Sequence, residues 1–158
     1  MTETAETPWY DRIVIPALLR HARSTYGRAM RKSLAEAGYD DIPANGLYII
    51  GGLALGGDGV PIGQLVRELG VTKQAAGQLV DALVLRGYLD RQADPEDRRK
   101  LIVTLTERGR AAATAQAAGR DRIDAELLAS VGQDDISAAR RTLGALIEIG
   151  RRDREEPE

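Results

Sequence analysis

Cysteine and phenylalanine are absent from this 158-residue chain, and histidine and tryptophan occur once each. Without cysteine there is no disulfide framework, no thiolate nucleophile and no thiol switch, and a reducing compartment is the natural setting. Without phenylalanine, and with five tyrosines, the core must come from Leu, Ile, Val and Ala, which favours closely packed helices. His21 has no cysteine or carboxylate pair near it in sequence, so it reads as a surface or interface residue and no metal site is expected. Neither a histidine cluster nor paired carboxylates in a recognisable catalytic spacing occur, so no enzyme activity and no cofactor are expected. No apolar run approaches the ~20 residues of a membrane helix and no signal peptide is expected, which places the chain in the cytoplasm with no membrane partner. The net charge is −2, so any binding to nucleic acid must come from local patches rather than a basic coat.

What the chain does contain is concentrated between Pro61 and Thr106. Ile62, Leu65, Val66 and Leu69 fall at i, i+3, i+4 and i+7, one face of a two-turn helix that Gly70 ends. Thr72 stands where an N-cap belongs, and Ala75, Ala76, Leu79, Val80, Leu83 and Val84 form the stripe of a second helix that stops at Gly87. Two helices joined by a tight turn containing glycine make a helix-turn-helix, whose second helix can lie in a DNA major groove. Its outer face carries Lys73, Gln74, Gly77, Gln78 and Asp81. That is a cation for phosphate, two amides for base edges, and a glycine that adds no bulk. Any amphipathic surface helix also has a polar face, so a solvated reading stays open at this point.

A charged hairpin follows at once. Tyr88 to Gln92 and Lys100 to Thr104 read as strands, the second with Leu101, Val103 and Leu105 on one face, and Asp94-Pro95-Glu96-Asp97 reads as the turn. Arg98, Arg99 and Lys100 then stand in succession, able to reach phosphates or a narrow minor groove. Asp94, Glu96 and Asp97 favour the alternative of a solvated turn. Yet Asp97 and Arg99 are two apart, and in extended backbone the carboxylate can orient the arginine.

The run Thr72-Lys73-Gln74-Ala75-Ala76-Gly77-Gln78-Leu79-Val80 is followed by Arg86-Gly87-Tyr88-Leu89, by Asp94-Pro95-Glu96-Asp97-Arg98-Arg99, and by Val103-Thr104-Leu105-Thr106-Glu107-Arg108-Gly109. In order and spacing these pieces resemble the winged helix-turn-helix of the MarR family of bacterial transcriptional regulators. The likeness is strong from about Ile62 to Ala113. It implies a mainly α fold with a small β-hairpin wing, a homodimer on pseudo-palindromic double-stranded DNA, and often release by a small ligand. By motif position the Thr72 helix is then the recognition helix, with Thr72 and Lys73 on phosphate and Gln74 and Gln78 on base edges. The Asp97-Arg98-Arg99 run is the wing, with Arg98 on phosphate and Arg99 the arginine that enters the minor groove.

The flanks read as scaffold. Met1 to Glu6 is polar and expected to be disordered, and Thr7-Pro8 is a helix opening. Pro16 either kinks the next helix or marks its restart. Leu18, Leu19, Ala22, Tyr26, Ala29, Met30 and Leu34 keep an apolar stripe, with Arg20, Arg23, Arg28 and Arg31 on the other side, either solvated or paired with the acidic last helix. Ala44 to Leu55 makes an apolar helix holding Gly51-Gly52, where each mid-helix glycine costs about 1 kcal/mol and so points to close packing or a lined cavity. Gly56-Gly57-Asp58-Gly59 lacks the lysine and the preceding strand of a phosphate loop and reads as a turn. Thr106 can cap an Ala-rich helix to about Ala129, with Ala111, Ala115, Ala118, Arg122, Ala125 and Leu128 along one side and Gly119 a weak point. After Gly132, Ile136 to Ile149 form a last apolar helix.

The expected architecture is a single domain over 1–158, with dimerisation helices at 8–38 and 107–152 around a DNA-binding region at 43–106. A ligand-responsive repressor is the leading reading. A winged-helix module that binds protein without DNA is the alternative, motivated by the mild charge of the region from Arg67 to Arg110, nine cations against seven acids. For a small-molecule effector the resemblance points to the space between the dimer helices and the winged region, so His21, Tyr26 and Tyr48 are candidates by location.

Overall fold

The computed structural model describes residues 7–56 and 59–155, apart from the side chains of Ile62, Leu65, Glu68, Leu69, Arg154 and Glu155. The expectations for Met1 to Glu6, for Gly57-Asp58, for the end of the tail beyond Glu155 and for three of the four apolar side chains of the first short helix therefore lie outside the described residues.

After one 3-10 turn at Trp9–Arg12 the elements run α1 (Ile15–Glu36), α2 (Gly46–Gly56), β1 (Val60–Pro61), α3 (Ile62–Leu69), α4 (Lys73–Leu85), β2 (Leu89–Ala93), β3 (Leu101–Leu105), α5 (Glu107–Val131) and α6 (Gln133–Glu155). Pro16 lies in the first turn of α1, where its missing N–H leaves no helical bond unmade, so the helix restarts there rather than kinking. The segment opened by Thr7-Pro8 forms only the short 3-10 turn, with Pro8 rather than Thr7 as its N-cap.

The chain divides into two compact units, Met1–Arg120 and Asp121–Glu158. In the first, an antiparallel sheet in the order β1-β3-β2 is pinned by the register Val60↔Val103, Arg91↔Val103 and Leu89↔Leu105. The hairpin expected from sequence is present. The two-residue β1 beside it was not expected, because a Val-Pro pair after a glycine-rich turn carries no period to read. The core gathers Leu47, Ile50 and Leu53 from α2, Val80 and Leu83 from α4, Tyr88 and Leu89 from the start of the hairpin, Val103 from β3, and Met30 and Leu34 from α1.

Two stripes differ from the sequence reading. On α4 the buried positions are Ala76, Val80 and Leu83, while Ala75 is exposed. On α5 the buried positions are Gly109, Ala112, Ala113, Gln116 and Gly119, and Ala111 and Ala118 face solvent. Gly119 is no weak point: a Cβ there would sit 2.5 Å from the main-chain oxygen of Ala29, so its small size is what lets α1 approach. The space a Cβ would take at Gly51 is likewise occupied, by the side chain of Gln116 at 2.7 Å, whereas Gly52 faces open space. In the second unit α6 begins directly after Gly132, whose φ of +82° breaks the helix, so the helix starts before Ile136 and Asp134 and Asp135 fall in its first turn. Leu143, Leu146, Ile147 and Ile149 of that helix are exposed. Among the described residues no helix is long and apolar enough to cross a membrane.

Candidate nucleic-acid interface

The interface is built outward from α4. The Thr72 hydroxyl accepts the backbone N–H of Ala75 at 3.1 Å, the N-cap bond expected of threonine at this position. Gly70, at φ +63°, turns the chain between α3 and α4 in the left-handed conformation that glycine adopts without strain. With Ala76, Val80 and Leu83 turned inward, Lys73, Gln74 and Gln78 are exposed on the opposite face. Nothing lies within 4 Å of the space a Cβ would take at Gly77, so that face is open between the two glutamines.

Asp81 does something different. Its carboxylate is ion-paired with the Arg91 guanidinium on β2, so it ties the recognition-type helix to the base of the hairpin and leaves Lys73, Gln74 and Gln78 as the free polar groups of the face. At the tip, Asp94 N–H donates to the Lys100 carbonyl at 2.9 Å and Lys100 N–H donates to the Asp97 carbonyl at 2.8 Å, which closes the turn. Asp97 acts on Arg99 through the backbone: its carboxylate accepts the Arg99 main-chain N–H at 3.2 Å, while its other oxygen stands 3.8 Å from Lys100 Nζ. Residues 98 and 99 form a turn and are not extended, which is why the two side chains do not align as their spacing alone implied. Arg98 and Arg99 are exposed, and no ion pair among the described residues holds either guanidinium.

Behind this face lies a cluster that sequence reasoning missed. The Tyr88 hydroxyl, on a residue with no exposed surface, donates to the Asp41 carboxylate. Arg108 donates to the Tyr88 oxygen at 3.0 Å and to Asp41 at 3.4 Å, and its guanidinium carbon lies 4.6 Å from the Tyr88 ring centre. The hydrogen bond from Tyr88 holds the Asp41 carboxyl below its usual range, with Arg108 adding to the effect. Burial, and then the neighbouring carboxylate, push the Tyr88 phenol up to about 12. The three residues join the loop after α1, the start of the hairpin after α4 and the first turn of α5. Each comes from a different part of the chain, so no local pattern announces them.

Residues 41–100 match the model of the MarR family. Over that stretch the chain is similar to the winged helix-turn-helix of the MarR family. Among solved structures, the transcriptional regulator Tm0710 of Thermotoga maritima is 25% identical with a TM-score of 0.56, over 90% of this chain and 97% of that one. E. coli MarR in its apo form is 21% identical with a TM-score of 0.63, over 85% and 97%. Streptococcus pneumoniae FabT, solved in complex with DNA, is 20% identical with a TM-score of 0.72, over 90% and 97%. At the last two identities the likeness is one of fold. No curated protein matches the chain.

In this MarR-type frame α4 is the second helix of the helix-turn-helix and the β2–β3 hairpin is the wing. The effector candidates are scattered. His21 is exposed on α1, Tyr26 is half-buried on the same helix, and Tyr48 is half-buried on α2 with the Arg23 guanidinium 4.4 Å from its ring centre. A groove of about 910 Å³ opens elsewhere, between the outer face of the sheet and the start of α5, lined by Leu53, Asp90, Thr104, Thr106, Arg110 and Thr114 among others. None of His21, Tyr26 and Tyr48 lines it.

Proposed function

We propose that this chain is a sequence-specific regulator of transcription that binds double-stranded operator DNA as a homodimer. The observation that carries the reading is the pairing of two free polar surfaces on one winged unit. The capped start of α4 exposes Lys73, Gln74 and Gln78, and the wing exposes Arg98 and Arg99, with Asp81 and Arg91 joining the two elements. In this account Thr72 and Lys73 meet phosphate, Gln74 and Gln78 read base edges in the major groove, Arg98 meets phosphate and Arg99 enters the minor groove. Asp97 fixes the backbone from which Arg99 projects. The DNA-bound structure of FabT, which shares the fold, supports DNA binding by this chain.

The regulator acts as a repressor on a pseudo-palindromic site. Exposed Leu143, Leu146 and Ile147 on α6 support pairing of two copies through the terminal helices, because a soluble monomer rarely leaves such a row uncovered. The division of labour has helices 8–38 and 107–152 pairing and 43–106 meeting DNA, all in one domain. A small-molecule effector, held where α1 and α5 border the winged unit, releases the DNA, and the groove beside Arg110 or the region of His21, Tyr26 and Tyr48 receives it. The protein works in the cytoplasm, without a cofactor and without catalysing a reaction. Asp94, Glu96 and Asp97 around the wing cations favour the second reading, a winged helix that binds protein.

The test uses a duplex selected by the protein itself. Arg99→Ala should weaken that complex by about tenfold or more, ~1.4 kcal/mol, while leaving the circular dichroism spectrum unchanged. Unchanged affinity at moderate salt would remove the wing from the account, and no salt-dependent binding to any duplex would favour the protein-binding module.

A further inference from the structure

Gln74, Gly77, Gln78 and Asp81 stand on α4 at i, i+3, i+4 and i+7, one stripe on the side of the helix away from buried Ala76, Val80 and Leu83. A helix lying in the major groove meets base edges along such a stripe. A bare carboxylate there would oppose a polyanion, and Asp81 is not bare. The Arg91 guanidinium holds one of its oxygens, Oδ1, through Nη2. Arg91 is itself anchored: it stands opposite buried Val103 in the hairpin register, and only 33% of its side chain is exposed. The pair cancels the charge of the acid locally and fixes the direction of the carboxylate. The other oxygen, Oδ2, accepts no hydrogen bond among the described residues, and 61% of the Asp81 side chain is exposed. One turn back, the open space at Gly77 leaves the approach to it clear.

A fixed oxygen with no proton to give selects by what a base edge offers. In the major groove guanine presents two acceptors, thymine an acceptor and a methyl group, and adenine an acceptor beside its amino group. Cytosine alone presents an amino donor with no acceptor next to it. We propose that Asp81 reads a cytosine in each half-site, its Oδ2 accepting the major-groove hydrogen of N4 while Arg91 holds Oδ1. This role rests on the operator binding proposed above and adds a third base reader to Gln74 and Gln78. Arg91 is then a positioning residue, which aims the carboxylate and offsets its repulsion from phosphate.

Selection from random duplex DNA by the full chain and by Asp81→Asn tests the role, with melting curves to establish that each variant is folded. The parent should enrich a site holding a cytosine that Asp81→Asn no longer selects. A carboxamide pairs with adenine N6 and N7, so the variant should enrich adenine at that position. On the parent's site, N4-methylcytosine at the same position keeps its pairing hydrogen and loses the major-groove one. It should weaken the parent by about tenfold and leave Asp81→Asn almost unchanged. The methylated duplexes examine the parent chain directly and need no variant. Arg91→Gln should weaken binding to every duplex, most at low salt where the uncovered acid is least screened.

Three results overturn the proposal. The first is a folded Asp81→Asn that enriches the same base as the parent at every position, whatever its overall affinity, as a merely bracing ion pair would give. The second is a parent whose affinity is unchanged by methylation of each cytosine of the half-site in turn. The third is a folded Arg91→Gln that binds as tightly as the parent at low salt. Each of these leaves the operator binding standing, whereas a parent that enriches no common sequence removes both.

Discussion

Asp41, Tyr88 and Arg108 show how much one contact can organise. Tyr88 is wholly buried, so its hydroxyl needs a partner inside, and the carboxylate of Asp41 supplies it. Tyr88→Phe should cost about 1.5–3 kcal/mol at pH 7, the range of a hydrogen bond to a charged group. The cost should depend on pH. Because the folded value of Asp41 lies below its ordinary 3.8, its contribution is present above that pH and is lost as pH falls through the folded value. At the alkaline end the phenol, raised from 10.0 to about 12, keeps its contribution below pH 10 and loses it as pH climbs toward 12. Urea titrations of both proteins at pH 7 and pH 3 check this: the difference between them should shrink at pH 3, and a constant difference would mean the carboxylate is not the partner that matters. Neither residue stands out in the sequence, where Tyr88 is one position of a strand and Asp41 part of a loop. Pairing across 47 positions leaves no local trace.

At the scale of the element, α4 is legible because its residues contrast. Large apolar side chains recur at helical spacing between a threonine cap and a glycine stop, so the period shows and the outer face follows from it. The α5 stripe is displaced from its sequence reading for the opposite reason: nearly every residue from Ala111 to Ala118 is small, and a helix of alanines has no period to read. What chose the buried face was close backbone approach at Gly109 and Gly119, a property of the partner elements. Two substitutions separate these roles. Gly119→Ala should raise helix propensity by about 1 kcal/mol yet destabilise the protein on balance by ~1–2 kcal/mol, because the new methyl meets the immobile Ala29 carbonyl. A higher melting temperature for this variant would contradict the packing. Gly77→Ala has open space around it, so the fold should gain up to about 1 kcal/mol while duplex binding weakens, as the added methyl lies on the face between Gln74 and Gln78. Stability and binding that rise together would mean this face does not approach DNA.

For the whole molecule, a net charge of −2 limits the means of holding a polyanion. The cations that count are few and local, at the start of α4 and at the wing tip, so non-specific affinity should be modest and specificity should rest on Gln74, Gln78 and Arg99. In the proposed homodimer, which the exposed row on α6 supports, two-fold symmetry would set the recognition helices about 34–36 Å apart, one turn of DNA. Selection from random duplex DNA by the purified protein tests symmetry, spacing and sequence preference together. The account predicts enrichment of an inverted repeat with half-sites about one helical turn apart, bound with an affinity that falls steeply in salt. A pool that yields no common sequence after repeated rounds would contradict it.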